Sequence, residues 1–223
     1  VKVVIKTFFK ELIDLYIDRS EFFLELLLEH IYLTLIAISI ILIVGVSLGI
    51  LMTYKEWFAN IVLALTGFLY TIPSIAMFGF LIAFVGIGNT SAIIAISIYG
   101  SLPLIRNTYV GIKEVDPSII EAATGIGSTE RQLLLRIKLP LALPVLTAGF
   151  RTTVVMTIAL GAIASFIGAG GLGVAIWRGI STNYQTMTLA GSLLVALFAV
   201  TTDFILSLIE KGLKRRLFGK DVS

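Results

Sequence analysis

Two charges stand alone inside apolar stretches of this chain. Arg151 is the only charged residue between Leu141 and Phe166, and Asp203 is the only one between Met187 and Ile209. A charge in hydrocarbon is costly unless it is paired or meets a water-filled path. Counted along helices from Pro140 and from Lys211, the two lie roughly 16 and 12 Å from the same end, at about 1.5 Å per residue. Similar depth makes an Arg151–Asp203 ion pair the structural expectation. The sharper alternative is an Arg151 that faces a pathway and meets a substrate carboxylate. Tyr70, Phe78, Phe80, Phe84, Tyr99 and Phe166 offer ring faces that attract quaternary ammonium groups, although packing and lipid contact are the ordinary uses of such residues. No catalytic residue is assigned. With no cysteine there is neither a thiolate nucleophile nor a thiolate metal site, and no metal site is expected. His30, the one histidine, has no partner set and reads as an interfacial residue rather than a ligand or base. Gly168-Ala169-Gly170-Gly171-Leu172-Gly173 fits G-x-G-x-x-G, but an apolar span precedes it and the next acid is Asp203. The strand and the ribose-binding acid of a dinucleotide site are therefore missing.

Most of the chain has lipid as its solvent. Of 223 residues, 57% are hydrophobic and only 14% charged, with a mean hydropathy of +1.02. Soluble chains carry roughly 25% charged residues and could not hide this much apolar surface. The net charge of +3 is no nucleic-acid signal, because the basic residues lie in loops and a tail rather than on one face. Ile31 to Thr53 is uncharged and long enough to cross a core of about 30 Å. Trp57 to Ile105 is also uncharged and reads as two spans about the turn Gly86–Thr90. Pro73 is expected to kink the first of these, since Ser74–Val85 is too short to span alone. Residues 141–166 and 187–209 complete five core spans, so the fold class is all-α and polytopic. Residues 31–210 form one transmembrane domain, after an N-terminal segment (1–30) and before a basic tail (211–223).

The N-terminal segment is expected to be one amphipathic helix. Glu11, Asp14, Asp18, Glu21, Glu25 and Glu29 make an acidic stripe opposite Phe8, Leu12, Leu15, Phe22 and Leu26. It either lies along the membrane surface or extends the first span. The segment lacks a signal peptide's basic start and cleavage site, and Val1 in place of Met reads as trimming or an unusual start codon. Lys211, Lys214, Arg215, Arg216 and Lys220 place the tail in the cytosol, and the basic loop 106–140 falls on the same side two spans earlier. Five spans then put the N-terminus outside, against the pull of Lys2, Lys6, Lys10 and Arg19.

The polar loop 106–140 carries the most specific pattern. Asp116-Pro117 reads as a helix start, with Pro117–Thr124 as a short helix. Gly125 and Gly127 permit a sharp turn. Ser128 is expected to cap a second helix through Arg131, Leu134 and Arg136, stopped at Leu139-Pro140. Glu121-Ala122-Ala123-Thr124-Gly125-Ile126-Gly127, with Ile137-Lys138-Leu139-Pro140 after it, matches E-A-A-x-x-x-G-x9-I-x-L-P at every fixed letter. This resembles the signature loop of bacterial ABC import permeases (MetI-like), the inner-membrane subunits that dock onto a separate ATPase. The resemblance assigns Glu121, Ala122, Ala123, Gly127, Ile137, Leu139 and Pro140 to the ATPase contact.

The closer similarity, carried by Ile158–Ser181 and Leu189-Ala190-Gly191-Ser192, is to permeases for glycine betaine, carnitine and choline. In that branch a similar glycine run lies at the external end of the path. This marks Gly168, Gly170, Gly171 and Gly173 as a candidate external gate or re-entrant turn. Gly79, Ala83, Gly149 and Gly161 are expected to allow close helix contacts. The resemblance further implies ATP and Mg on the partner ATPase and no cofactor on this chain, consistent with the absence of a P-loop. It also implies a second permease copy, identical or related, and an external substrate-binding protein, separate or fused beyond Ser223. The lipid bilayer is a partner and nucleic acid is not. Ergothioneine, methionine and other amino acids are the rival substrates. A secondary transporter working without ATP, or a membrane scaffold, would leave the loop pattern unexplained.

Overall fold

Lipid cannot hydrogen-bond a backbone, so long apolar runs in a spanning chain must satisfy their own N–H and C=O groups as helices. The computed structural model describes residues 2–218, with side chains from 9 to 216, and the fold is all-helical with no strand among the described residues. In order, the helices are α1 (Lys2–Asp18), α2 (Ser20–Met52), α3 (Glu56–Thr71), α4 (Ser74–Val85), α5 (Asn89–Lys113) and α6 (Pro117–Gly125). They continue with α7 (Glu130–Gln132), a π turn (Leu133–Lys138), α8 (Leu139–Ala164), a 3-10 turn (Ser165–Ile167), α9 (Gly173–Ser181) and α10 (Gln185–Phe218). Val1, Lys220 and the rest of the tail beyond Phe218 lie outside the described residues, as do the side chains of Lys2, Lys6 and Phe8.

Among the described residues, three helical runs are long and apolar enough to cross a bilayer: Ser20–Met52, Glu130–Ile167 and Gln185–Arg216. The pair α3 and α4 makes a fourth if it is one broken span. The single kinked helix expected across Pro73 is instead a break with a sharp bend. Pro73 sits at φ −57°, ψ 134°, and its carbonyl accepts the N–H groups of Ala76 and Met77 at 2.9 and 3.1 Å, starting α4 afresh. Proline disfavours helical geometry in the residue before it, which is why α3 stops at Thr71.

The chain forms two compact units. The first contains residues 1–39, 72–98 and 155–202; the second contains 40–71, 99–154 and 203–223. In the first, Leu12, Leu15, Phe23 and Leu26 pack with Leu172, Ala175, Met187 and Ala190, and the Tyr16 hydroxyl donates to the Ala190 carbonyl at 2.8 Å. The N-terminal segment is thus two helices broken at Arg19 rather than one. Leu12, Leu15 and Leu26 face protein rather than a membrane surface, while the six acids of the stripe stay exposed. Phe9, Ile13 and Ile17, four residues apart, form a separate exposed apolar stripe on α1.

In the second unit Met52, Ala59, Val62 and Ile105 form a core. There α2 and α5 approach closely because Gly45 and Gly49 lack side chains. A Cβ on Gly45 would lie 2.9 Å from Leu104 Cγ, and one on Gly49 would lie 2.7 Å from Thr108 Cγ2 and 2.9 Å from the Ile105 carbonyl oxygen. This G-x-x-x-G pair was not among the expected contact residues. Of those that were, Gly149 packs on Asn107 and Gly161 on His30, whereas Gly79 faces open space and Ala83 is exposed. Small residues mark close helix contacts only where a neighbouring helix lies on their face. Gly49→Val is therefore expected to destabilise the protein by about 1–3 kcal/mol through overpacking. Thermal unfolding in detergent measures this, with Gly79→Ala as the variant expected to melt near wild type.

Candidate functional site

The loop between α5 and α8 is built by turn chemistry. Asp116 Oδ1 accepts the Ser118 N–H at 2.8 Å while Pro117 opens α6. Hydrogen bonds from Ser118, side chain first and backbone second, hold the Asp116 carboxyl below its usual range. The cap is therefore fully present above the ordinary carboxylate pKa and is lost as pH falls through the depressed folded value. At the other end, Gly127 takes φ +86°. Its N–H bonds the Thr124 carbonyl at 2.9 Å, and the Ser128 N–H bonds the Ala123 carbonyl at 3.1 Å. This paired closure needs a left-handed residue, which glycine supplies. Gly125, the other glycine of the expected elbow, ends α6 without a positive φ.

Two expectations about this loop change. The second cap is Thr129, not Ser128. Thr129 Oγ1 accepts the Gln132 N–H at 3.3 Å, and Gln132 Oε1 accepts the Thr129 N–H at 2.9 Å. The reciprocal box needs Glu or Gln three residues on, and Ser128 has Arg131 there. Nor does the helix stop at Leu139-Pro140. The Leu139 N–H bonds the Leu134 carbonyl, five residues back. This wider π turn accommodates the proline ring and carries the helix on into α8.

The resulting knuckle exposes Glu121, Ala122 and Gly127, whereas Ala123 is turned inward and 6% exposed. Ile137, Leu139 and Pro140 are half-buried. Ile126, a variable position of the pattern, is 87% exposed at the tip. Its signal in the sequence was an apolar residue flanked by two glycines in a polar turn.

Also in the second unit, Arg151 forks onto two carboxylates. Its Nη2 lies 2.9 Å from both Asp203 oxygens and its Nε 3.1 Å from Oδ1, while Nη1 lies 2.8 Å from Glu210 Oε2. Lys214 Nζ closes the chain at 2.7 Å from Glu210 Oε1. The four charges cancel. Side-chain exposure falls from 41% at Asp203 to 29% at Arg151 and 9% at Glu210. Glu210 escaped the sequence reading because it lies just past the apolar run, one residue before Lys211.

In the first unit, the glycine-rich segment is held by α2. The Gly171 N–H donates to Glu29 Oε2 at 2.9 Å, and the Gly170 N–H to Asn89 Oδ1 at 3.1 Å. His30 is 1% exposed, so it is not interfacial. Its Nδ1 accepts the Leu172 N–H at 3.2 Å, which requires Nε2 to carry the proton it shares with the Ile158 carbonyl at 3.1 Å. Gly168 and Gly171 are left-handed, at φ +78° and +95°. Gly173 is needed for space, since a Cβ there would strike the Ala162 carbonyl. The segment after the glycines contains helix α9. In this unit Phe80 and Phe84 are exposed and paired at 4.8 Å, Phe78 is buried, and Phe166 meets Trp177 at 5.0 Å. Tyr70 and Tyr99 pair at 6.4 Å in the other unit.

Arg151→Ala strands Asp203 and leaves Glu210 with Lys214 alone, and is expected to cost more than the roughly 0–1 kcal/mol of an exposed pair, approaching the roughly 3–5 kcal/mol of a buried one. The charge swap Arg151→Asp with Asp203→Arg leaves an acid beside Glu210, so thermal stability should recover only when Glu210→Gln is added. Recovery by the double swap alone would show that Glu210 contributes nothing. For the first unit, His30→Ala orphans the buried Leu172 N–H and is expected to cost about 1–3 kcal/mol, measured by the same unfolding assay.

Residues 41–215 match the sequence profile of the family described as binding-protein-dependent transport system inner membrane component. The chain is 39% identical over 199 residues to the osmoprotectant import permease protein OsmW of Salmonella typhimurium, covering 87% of this chain and 93% of that one. It is 37% identical to a glycine betaine/carnitine/choline transport system permease protein of Bacillus subtilis, covering 82% and 84%. It is 39% identical to an ergothioneine transport permease/ergothioneine binding protein of Helicobacter pylori, covering 82% of this chain but 34% of that longer one. In fold it resembles a chain of the inward-facing MetNI methionine ABC transporter, with a TM-score of 0.79 at 21% identity over 88% of this chain and 98% of that one. The chain belongs to the binding-protein-dependent transport system inner membrane components and is the permease subunit of a bacterial inner-membrane ABC importer.

Proposed function

We propose that this permease carries quaternary-amine osmoprotectants of the glycine betaine, carnitine and choline class. The observation that carries this reading is the 39% identity to an osmoprotectant permease along nearly the full length of both chains. Ergothioneine is the second reading, because a relative of equal identity is named for it and it too is a trimethylated zwitterion. Methionine and other amino acids rest on fold likeness alone.

In the proposed cycle an external binding protein delivers substrate to the outward-open permease. Two ATPase subunits, which hold ATP and Mg, then close and push on the knuckles of two permease copies. ATP shifts the access equilibrium only through its preference for one arrangement. The spans are five, with the knuckle and basic tail in the cytosol and the glycine-rich segment outside. The basic residues of the loop and tail support that orientation. Glu121, Ala122, Ile126 and Gly127 form the exposed contact with the ATPase. Ala123, Ile137, Leu139 and Pro140 shape the knuckle behind it. Arg151, Asp203 and Glu210 serve assembly rather than substrate binding, since both oxygens of Asp203 and one of Glu210 already hold the guanidinium.

Uptake of radiolabelled betaine, carnitine, choline, ergothioneine and methionine by the reconstituted transporter with its binding protein tests the substrate. Ergothioneine uptake without any betaine, carnitine or choline uptake would overturn the first reading. Glu121→Lys, Gly127→Pro and Ile126→Asp are each expected to lower ATPase co-purification about tenfold while membrane insertion stays intact. Normal co-purification and uptake in all three would remove the role given to the knuckle.

A further inference from the structure

The first unit holds an open cavity of about 690 Å³ beside the glycine-rich segment. That volume falls within the roughly 300–1,000 Å³ of small-molecule sites. Its chemistry is unusual for a membrane helix bundle. Three aromatic rings line it, Phe22, Phe166 and Trp177, together with the carboxylates of Glu25 and Glu29 and the guanidinium of Arg178. Glu29 is engaged by the Gly171 N–H. Glu25 has no hydrogen-bond or ion-pair partner among the described residues. The Arg178 guanidinium carbon stands 4.8 Å from the Phe22 ring centroid, so a cation already occupies one aromatic face of the cavity. Trp177 packs edge-on against Phe166 and is 47% exposed. Indole is the strongest of the aromatic faces for a cation.

We infer that this cavity is a binding site for small quaternary ammonium compounds, on the permease itself. The trimethylammonium group lies against Trp177 and Phe166. Glu25 supplies the counter-charge that a methylated nitrogen cannot obtain by hydrogen bonding. Two carboxylates against one guanidinium leave the cavity with a net negative charge, which favours a cation over a neutral solute of equal shape. Arg178 can meet the carboxylate of a zwitterion such as betaine or carnitine, and has no such role for choline. Neither α2 nor α9 had been assigned to substrate binding from the sequence. The inference rests on the substrate class proposed above and adds where that substrate is held once it leaves the binding protein.

The test is equilibrium binding of radiolabelled choline and glycine betaine to the complete transporter in nanodiscs, with no binding protein added. Saturable binding is expected. Tetramethylammonium should compete, and 3,3-dimethylbutanol, the neutral carbon isostere of choline, should not. Trp177→Ala is expected to weaken both ligands about tenfold and Trp177→Phe only about twofold. Glu25→Gln, a near-isosteric change at an exposed position, should weaken both about fivefold. Arg178→Gln should weaken betaine and leave choline nearly unchanged. No saturable binding, or binding indifferent to both Trp177→Ala and Glu25→Gln, overturns the inference. Uptake assayed with the binding protein separates the two failures. If the wild type imports quaternary amines but the cavity variants bind like wild type, the cavity assignment alone falls. If the wild type imports none, the substrate class falls.

Discussion

Hydrocarbon offers no hydrogen bonds, so backbone groups freed within this chain's spans need partners from protein. That constraint explains features that otherwise look unrelated. Hydroxyls in the long helices bend back to the carbonyl one turn earlier, as Ser39 does to Leu35, Thr147 to Leu143 and Ser192 to Thr188, each at 2.8–2.9 Å. Where the backbone leaves helical geometry, at the glycine-rich segment, Glu29, His30 and Asn89 take up the freed N–H groups. A single tautomer of His30 serves two of the polar groups around it. Where a guanidinium enters an apolar stretch, two carboxylates and a lysine close the charge around it.

In the polar loop between α5 and α8 a different chemistry governs. The knuckle is held by caps, a left-handed glycine and a capping box, which are local devices needing no distant partner. Such devices hold the segment's shape by contacts within a few residues of chain. The π turn before α8 matters for the same reason. By admitting Pro140 without ending the helix, it makes the knuckle's second arm and the following span one continuous helical run. The knuckle's second arm is thus joined to that run by backbone hydrogen bonds.

Much of this was legible in residue order. Apolar length located the three long runs within α2, α8 and α10, because crossing a bilayer sets a minimum run of uncharged residues. Asp116-Pro117 announced α6 one residue short of its observed end. The lone charges Arg151 and Asp203 were conspicuous because each stood in about twenty apolar neighbours. The errors are equally specific. Pro73 and Pro140 have the same covalent chemistry, yet one ends a helix and the other is absorbed by a π turn. Ser128 and Thr129 are both good caps, and only the residue three further on separates them. Gly79 and Gly49 look alike in sequence, yet only one has a helix pressed against it.

By itself, then, the order of residues determined that the chain is helical, lipid-embedded and furnished with a capped polar loop between α5 and α8. Those properties follow from composition, run length and short-range spacing, all of which act within a few turns of chain. Tertiary structure alone decided who meets whom. It gave Glu210 to Arg151 across 59 positions, and it set His30 against Leu172 across 142. It also brought Phe22 and Glu25 to the same cavity as Trp177. Partners that distant in the chain share no spacing rule, because their proximity depends on how whole helices pack, and packing is settled by shape on both sides of a contact.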